Sequence, residues 1–217
     1  MSGDPGASSR PTANYDVKKD RRDLYSGRAG RFDVVDVPEM SFLMADGHGD
    51  PNLADDYRRA VEALYTTAYA IRAAARSRLG LVHTVGPLEG LWYADDLSVF
   101  TARDKGAWYW TMMIWQPEWI TPDVAASALD TVGTKKIPGV KDLVRYATLV
   151  EGPAIQTLHV GPYDAEGPTI ARIHDEVLPG HGMVAAGRHH EIYLSDPRKT
   201  PPDRLRTILR QPAKPTQ

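Results

Sequence analysis

The sequence predicts an α+β fold in which a strand–helix–strand–strand unit occurs twice, the two copies joining in a pseudo-two-fold antiparallel sheet. Three observations predict it. One long segment in the first half carries apolar residues at helical spacing. Short runs rich in β-branched and aromatic residues lie on either side of it. The same order of elements then returns in the second half.

The first unit, about residues 34–133, opens with Val34-Val35-Asp36-Val37-Pro38 and a strand at Met40–Asp46. A turn, Gly47-His48-Gly49-Asp50-Pro51, leads to Asn52, the expected N-cap, with Asp55 three residues on. In the helix that follows, about Leu53 to Arg78, Tyr57, Val61, Leu64, Tyr65, Ala68, Ile71 and Ala75 form one stripe. Arg58, Arg59, Arg72 and Arg76 lie mostly off that stripe, and Gly80 is a natural stop. Strands at about Leu88–Tyr93 and Ala107–Trp115 complete the unit. Between the units, Thr121 and Pro122 read as the N-cap and first residue of a short helix to Val132, and Lys135–Asp142 as a linker.

The second unit, about residues 146–212, has a strand at Ile155–Val160, a turn at Gly161-Pro162-Tyr163-Asp164 and a helix near Pro168–Leu178 that turns Ile170, Ile173 and Val177 inward. Strands near His189–Leu194 and Leu205–Arg210 follow. Short echoes support a duplication: Met44-Ala45-Asp46-Gly47 against Leu158-His159-Val160-Gly161, and Trp115-Gln116-Pro117 against Arg210-Gln211-Pro212. Both units are expected to form one domain over residues 15–217, with residues 1–14 and the tail Ala213–Gln217 disordered by composition.

Composition narrows the function classes. With 26 basic and 28 acidic residues the net charge is −2, which argues against a nucleic-acid or anionic-membrane surface. The absence of cysteine excludes disulfides and thiolate chemistry. No apolar run approaches the ~18 residues needed to span a bilayer, and the Gly/Ser/Pro-rich start lacks the apolar core of a signal peptide. A soluble, cytoplasmic protein is expected. The glycines at 47 and 49 lack the spacing and the Lys-Ser/Thr of a phosphate loop, and Ser195 lacks a nucleophile elbow.

The most informative stretch is Gly187-Arg188-His189-His190-Glu191-Ile192-Tyr193-Leu194-Ser195-Asp196-Pro197. As a strand it sends His189, Glu191 and Tyr193 to one face and His190, Ile192 and Leu194 to the other. If the first face is buried, desolvation raises the Glu191 pKa toward general-base territory. A wet face would make the trio an ordinary polar surface. The adjacent histidines do not read as a metal site, because neighbours on a strand face opposite ways. No cofactor is expected.

Four segments carry a family resemblance: Pro38-Glu39-Met40; Pro87-Leu88-Glu89-Gly90-Leu91-Trp92-Tyr93; Gln156-Thr157-Leu158-His159-Val160-Gly161-Pro162-Tyr163; and the His189–Pro197 strand and turn. Over roughly Val34 to Pro212 the chain resembles the GyrI-like small-molecule-binding proteins, whose fold pairs two such units (of SHS2 type) around a central ligand cleft. The His-His-Glu-Ile-Tyr-Leu segment is similar to a stand-alone branch, the cyclopropanoid cyclopropyl hydrolases. That resemblance implies a cofactor-free hydrolase that detoxifies duocarmycin- and yatakemycin-type alkylating compounds and confers self-resistance. Glu191 matches the family's cleft glutamate. A transcription-factor relative would carry a fused helix-turn-helix, which is not seen here.

Such a site implies a base, a hydrogen-bond donor and flat walls. Glu191 is the expected base, with Tyr193 and His189 as catalytic neighbours. Trp92, Tyr93, Trp110, Trp115, His159, Tyr163, Tyr65 and Tyr69 are the candidate substrate-binding residues. Strand alternation puts Trp108 with Trp110 and Tyr109 with Trp115, and the pseudo-symmetry sets Leu91–Tyr93 opposite Glu191. Glu89 reads either as a second cleft carboxylate or as an exposed turn residue; Glu151 and Glu166 fall in turn-like contexts. The expected partner is a flat aromatic small molecule. The alternative is a non-catalytic protein that sequesters drugs, with Glu191 paired to cationic ligands.

Overall fold

Strands buried on both faces build most of the sheet. β1 (Asp33–Val37), β2 (Met40–His48), β3 (Leu88–Tyr93), β4 (Tyr109–Gln116), β5 (Arg145–Leu149), β6 (Gly152–Val160), β7 (Met183–Ala185), β8 (His189–Tyr193) and β9 (Arg206–Pro215) all pair antiparallel. Their order is β1-β6-β9-β8-β3-β4-β2-β5, with β7 beside β9. These assignments come from a computed structural model that describes residues 14–96, 99 and 104–216.

Each unit contributes three adjacent strands, β2-β4-β3 and β6-β9-β8, and the two sets meet where β3 pairs β8. β1 runs into β2 and β5 into β6, and the two resulting bent strands pair across both bends. Asp33 faces Gln156, Val37 faces Gly152, Met40 faces Leu149 and Met44 faces Arg145, so one register passes through both bends. Each unit therefore lends its leading strand to the edge of the other.

Six helices occur among the described residues. α1 (Val17–Asp20) and α2 (Arg22–Tyr25) lie on one face of the sheet, where Val17, Leu24 and Tyr25 pack with Phe42, Met44, Leu91, Met113 and Ile192. α3 (Asp55–Leu79) covers the other face over β2 and β4. Its buried stripe is small, with Ala60, Ala63, Ala68 and Ala75 around Leu64 and Ile71, which lets the helix approach the sheet closely. Gly80 ends it in the left-handed region, at φ 68°. α4 (Pro122–Lys135) packs on α3, and α5 (Val140–Leu143) buries Val140 against the same core. α6 (Gly167–Arg172) runs on without a break through a π-helical turn, Ile173–Val177, and a last α turn, Leu178–Gly180, and covers Ile155 and Leu209 on the second unit. None of these helices is long and apolar enough to cross a membrane.

Several expectations are corrected. Helix α3 begins after Ala54 without a side-chain cap. The backbone N–H and side-chain amide of Asn52 both donate to Asp50 Oδ1 at 2.9 Å, a local turn that competes with capping. The Lys135–Asp142 stretch is not wholly linker, since α5 begins in it. The tail expected to be disordered continues β9 through Pro215, because backbone pairing with β7 requires no apolar side chains. Residues 1–13 lie outside the described residues, whereas Asn14 donates from Nδ2 to Thr84 Oγ1 at 2.8 Å. Strand β5 and the two N-terminal helices carry no periodic signal long enough to read.

Candidate functional site

With α3 over β2 and β4, and α6 over β6 and β9, the two central strands β3 and β8 lie between the helices. On that face β3 presents Gly90 and Trp92, and β8 presents His189, Glu191 and Tyr193. The register sets Gly90 directly opposite Glu191, and Trp92 opposite His189. The residue facing Glu191 is thus a glycine, which leaves room above the strand, and Trp92 lies on the diagonal.

Glu191 is the centre of a short hydrogen-bonded chain. Trp92 Nε1 donates to the Tyr193 hydroxyl at 3.0 Å, and that hydroxyl donates to Glu191 Oε2 at 2.7 Å. His189 Nε2 stands 3.7 Å from Glu191 Oε1. Only 13% of the Glu191 side chain is exposed. Burial raises its pKa to about 7, although the Tyr193 hydroxyl, the charge of His190 and the Trp92 indole pull the other way. Burial lowers His189 to about 3, so its imidazole is neutral at physiological pH. Tyr193 is held well above its ordinary value by burial and by Glu191.

A Cβ added at Gly90 would meet Trp92 Nε1 at 3.1 Å and both Met112 Sδ and the Tyr193 hydroxyl oxygen at 3.2 Å. Gly90→Ala is therefore expected to cost roughly 1–3 kcal/mol, the usual cost of overpacking. A urea melt read by tryptophan fluorescence measures it. A variant as stable as the wild type would mean that this chain of rings is not tightly fixed.

A second carboxylic acid shares this face. Glu166 sits at the start of α6, where its carbonyl accepts from the N–H groups of Thr169 and Ile170 at 2.9 and 3.0 Å. Its side chain turns inward, only 4% of the residue is exposed, and Oε1 has no hydrogen-bond partner. Burial first, and the Glu191 charge second, raise its pKa to about 9, with the Thr207 hydroxyl lowering it in part. Two carboxyls with raised values hold a proton between them near neutral pH. Nothing in the sequence marks Glu166: an acidic residue at a helix start is already explained by the helix dipole.

The aromatic candidates divide by face. Tyr163 meets Tyr193 edge-on at 5.5 Å, and burial raises it to about 12. Trp108 meets Trp92 edge-on at 5.7 Å, and Tyr57 from α3 meets Trp110 at 5.2 Å. Tyr57, grouped with the core in the sequence, also feels the Glu191 charge, so it borders the same place. Trp110 is fully buried with its ring pressed on Gly47, and it supports the wall rather than forming it. Tyr93 and Trp115 are corrected: alternation puts both on the opposite face. There Tyr93 stacks on Tyr109 under the Arg188 guanidinium, and Trp115 stacks on Tyr15. His159 shares the Glu191 face beside Thr207, and burial lowers its pKa. Tyr65 is half-buried against the α3 core, and Tyr69 is 58% exposed, outside the packed group.

Behind Glu191, on the opposite face, lies a closed polar network. His190 Nε2 is 3.0 Å from Glu89 Oε2, and its Nδ1 is 2.9 Å from Glu151 Oε1. Arg210 donates to Glu151 Oε2 at 3.0 Å, to Gln156 Oε1 through Nε and Nη2, and to the carbonyl of Leu24 at 2.7 Å. Tyr25 donates to Glu89 Oε1 at 2.8 Å. Glu89 is therefore not a second carboxylate on the Glu191 face, and Glu151 is a buried partner rather than a turn residue. Despite burial, the two carboxylates raise His190 to about 9, while His190 and Arg210 hold Glu151 down at about 2. The network fastens α2 to the sheet and fixes the strand that carries Glu191. Among the described residues no cluster of three His, Asp or Glu side chains is placed to hold a metal ion.

The fold has known counterparts. An uncharacterized conserved protein from Listeria innocua is 37% identical, with a TM-score of 0.84 over 93% of this chain and 100% of that one. Two structures of a hydrolase from Listeria innocua are 36% and 35% identical, with TM-scores of 0.81 and 0.79 over the same shares of each chain. The C-terminal domain of EcmrR, 9% identical with a TM-score of 0.54, shares the fold. No curated protein matches. The model of the GyrI-like small molecule binding domain matches residues 31–214, and the chain belongs to that family.

Proposed function

We propose that this protein is a cofactor-free hydrolase that opens an electrophilic cyclopropane with water and so detoxifies DNA-alkylating compounds of the duocarmycin and yatakemycin type. One observation carries the reading: Glu191 is a buried carboxyl raised to about 7, lodged among Trp92, Tyr193 and Tyr163. A carboxylate with that pKa is half-ionised near neutrality and suits general-base work on water. The hydrolase from Listeria innocua, 35–36% identical, supports an enzymatic role.

The reaction balances with the residues present. Glu191 takes a proton from water while the water oxygen bonds to the cyclopropane methylene. The strained carbon–carbon bond breaks, and its electron pair moves through the dienone to the oxygen, which becomes a phenolate. A hydrogen bond from Glu166 or a neighbouring hydroxyl stabilises that oxygen; the proton taken by Glu191 then passes to it, which restores the Glu191 carboxylate and leaves a phenol bearing a primary alcohol. Trp92 and Tyr163 offer flat surfaces to an aromatic substrate.

Incubation of the protein with a spirocyclopropyl cyclohexadienone, followed by product mass, tests this. Gain of one water is the expected result. Tight binding with no change of mass would instead mark a sequestering protein.

A further inference from the structure

A cavity of about 620 Å³ opens at the end of the sheet away from Glu191, where the β1–β2 bend, the end of β4 and the N-terminal segment meet. Its size suits a small ligand. Tyr15, Trp115 and Trp119 furnish its aromatic surfaces. Tyr15 stacks on Trp115 at 5.5 Å and meets Trp119 edge-on at 5.3 Å. The wall is pre-built: Tyr15 is tied to the loop after α3 by its N–H to the carbonyl of Val82 and by its carbonyl to the N–H of Thr84, at 3.0 and 2.7 Å.

The polar groups share one preference. Gln116 borders the cavity, is 1% exposed, and spends both amide hydrogens on the carbonyls of Ile114 and Trp115. This pairing fixes the end of β4 under the aromatic wall. Two exposed carboxylates, Glu39 and Glu118, stand at the rim. Among the described residues the one cation lining the cavity, Arg21, is 3.1 Å from Asp23 and so already matched. Aromatic faces and rim carboxylates both favour a cation.

We propose that this cavity is a second ligand site, separate from the Glu191 groove, for a small protonated arylalkylamine. The ring of the ligand packs among Tyr15, Trp115 and Trp119, and Glu39 and Glu118 at the rim supply the field that holds its ammonium. The cavity also accounts for Trp115, which the sequence assigns to the cleft and the fold carries to the other face. The assignment stands whether or not the Glu191 groove is hydrolytic.

Tryptamine, charged at neutral pH, and its neutral derivative N-acetyltryptamine are suitable probes for calorimetric titration of the full chain. Saturable binding of tryptamine is expected, weakened roughly tenfold in the E39Q/E118Q double variant, retained in E191Q, and at least roughly tenfold weaker for the neutral probe. In an NMR titration the Trp119 indole N–H signal should move and that of Trp92 should not. No saturable binding, equal affinity for both probes, or binding that E191Q abolishes and E39Q/E118Q keeps would overturn the proposal.

Discussion

An E191Q variant is expected to turn over a spirocyclopropyl cyclohexadienone roughly 10²–10⁴-fold more slowly than the wild type, the range a positioned general base contributes. Glutamine keeps the shape of the side chain, and its carbonyl oxygen still accepts the Tyr193 hydroxyl, so the strand and its rings stay in place. What is lost is the ability to take a proton from water. Steady-state rates with product mass as the readout check this, and an E191Q protein as fast as the wild type would remove Glu191 from the chemistry. The wild-type rate has a pH signature. It rises as pH climbs through about 7, because the base works only as a carboxylate. It falls above about 9, where Glu166 gives up its proton. The two limbs belong to the carboxyl pair rather than to either residue alone. Glu166→Gln should flatten the alkaline limb and leave the acid limb.

Arg210→Leu is expected to destabilise the fold by about 3–5 kcal/mol, the loss seen when one member of a buried ion pair is removed. Arg210 is 1% exposed and satisfies three different acceptors, so the variant leaves Glu151, Gln156 and the Leu24 carbonyl short of donors together. Equilibrium urea unfolding measures it, and a loss near zero would mean that water or the neighbouring His190 substitutes for the guanidinium. The same network sets a pH window. His190 is raised from 6.5 to about 9, so its contribution is complete below 6.5 and is lost as pH rises through 9. Glu151 is lowered from 4.5 to about 2, so its contribution is complete above 4.5 and is lost as pH falls through 2. The network stabilises most between those limits. In His190→Gln the stability lost between pH 6.5 and 9 should shrink.

The sequence discloses the parts of this molecule that repeat or alternate. The stripe from Tyr57 to Ala75 and the strand at Leu88–Tyr93 are visible because period and composition agree. The faces of the His189–Tyr193 strand follow from alternation alone, and with them the separation of His190 from Glu191. Which face meets the helices is a tertiary matter, and there the reading of Tyr93 and Trp115 fails. Trp92 and Tyr93 have equal claims until β3 is set beside β8. Glu166 is hidden for another reason: its role comes from a side chain turned inward at a helix start, where sequence patterning already has an explanation for acid. The Glu89–His190–Glu151–Arg210 network is equally silent, because its members are separated by up to 121 positions and meet only when the strands pair.

The exchanged leading strands carry a consequence for how the chain acquires its structure. During synthesis the first half leaves the ribosome with the β2 edge unpaired, and the β5 residues that cover it emerge about a hundred residues later. β1 waits longer still, for β6. Neither half can complete its own sheet, so the nascent first unit keeps an open edge until the second unit begins to follow it. Loop closure over such separations is slow, and it makes assembly of the whole chain a single late event rather than two successive ones.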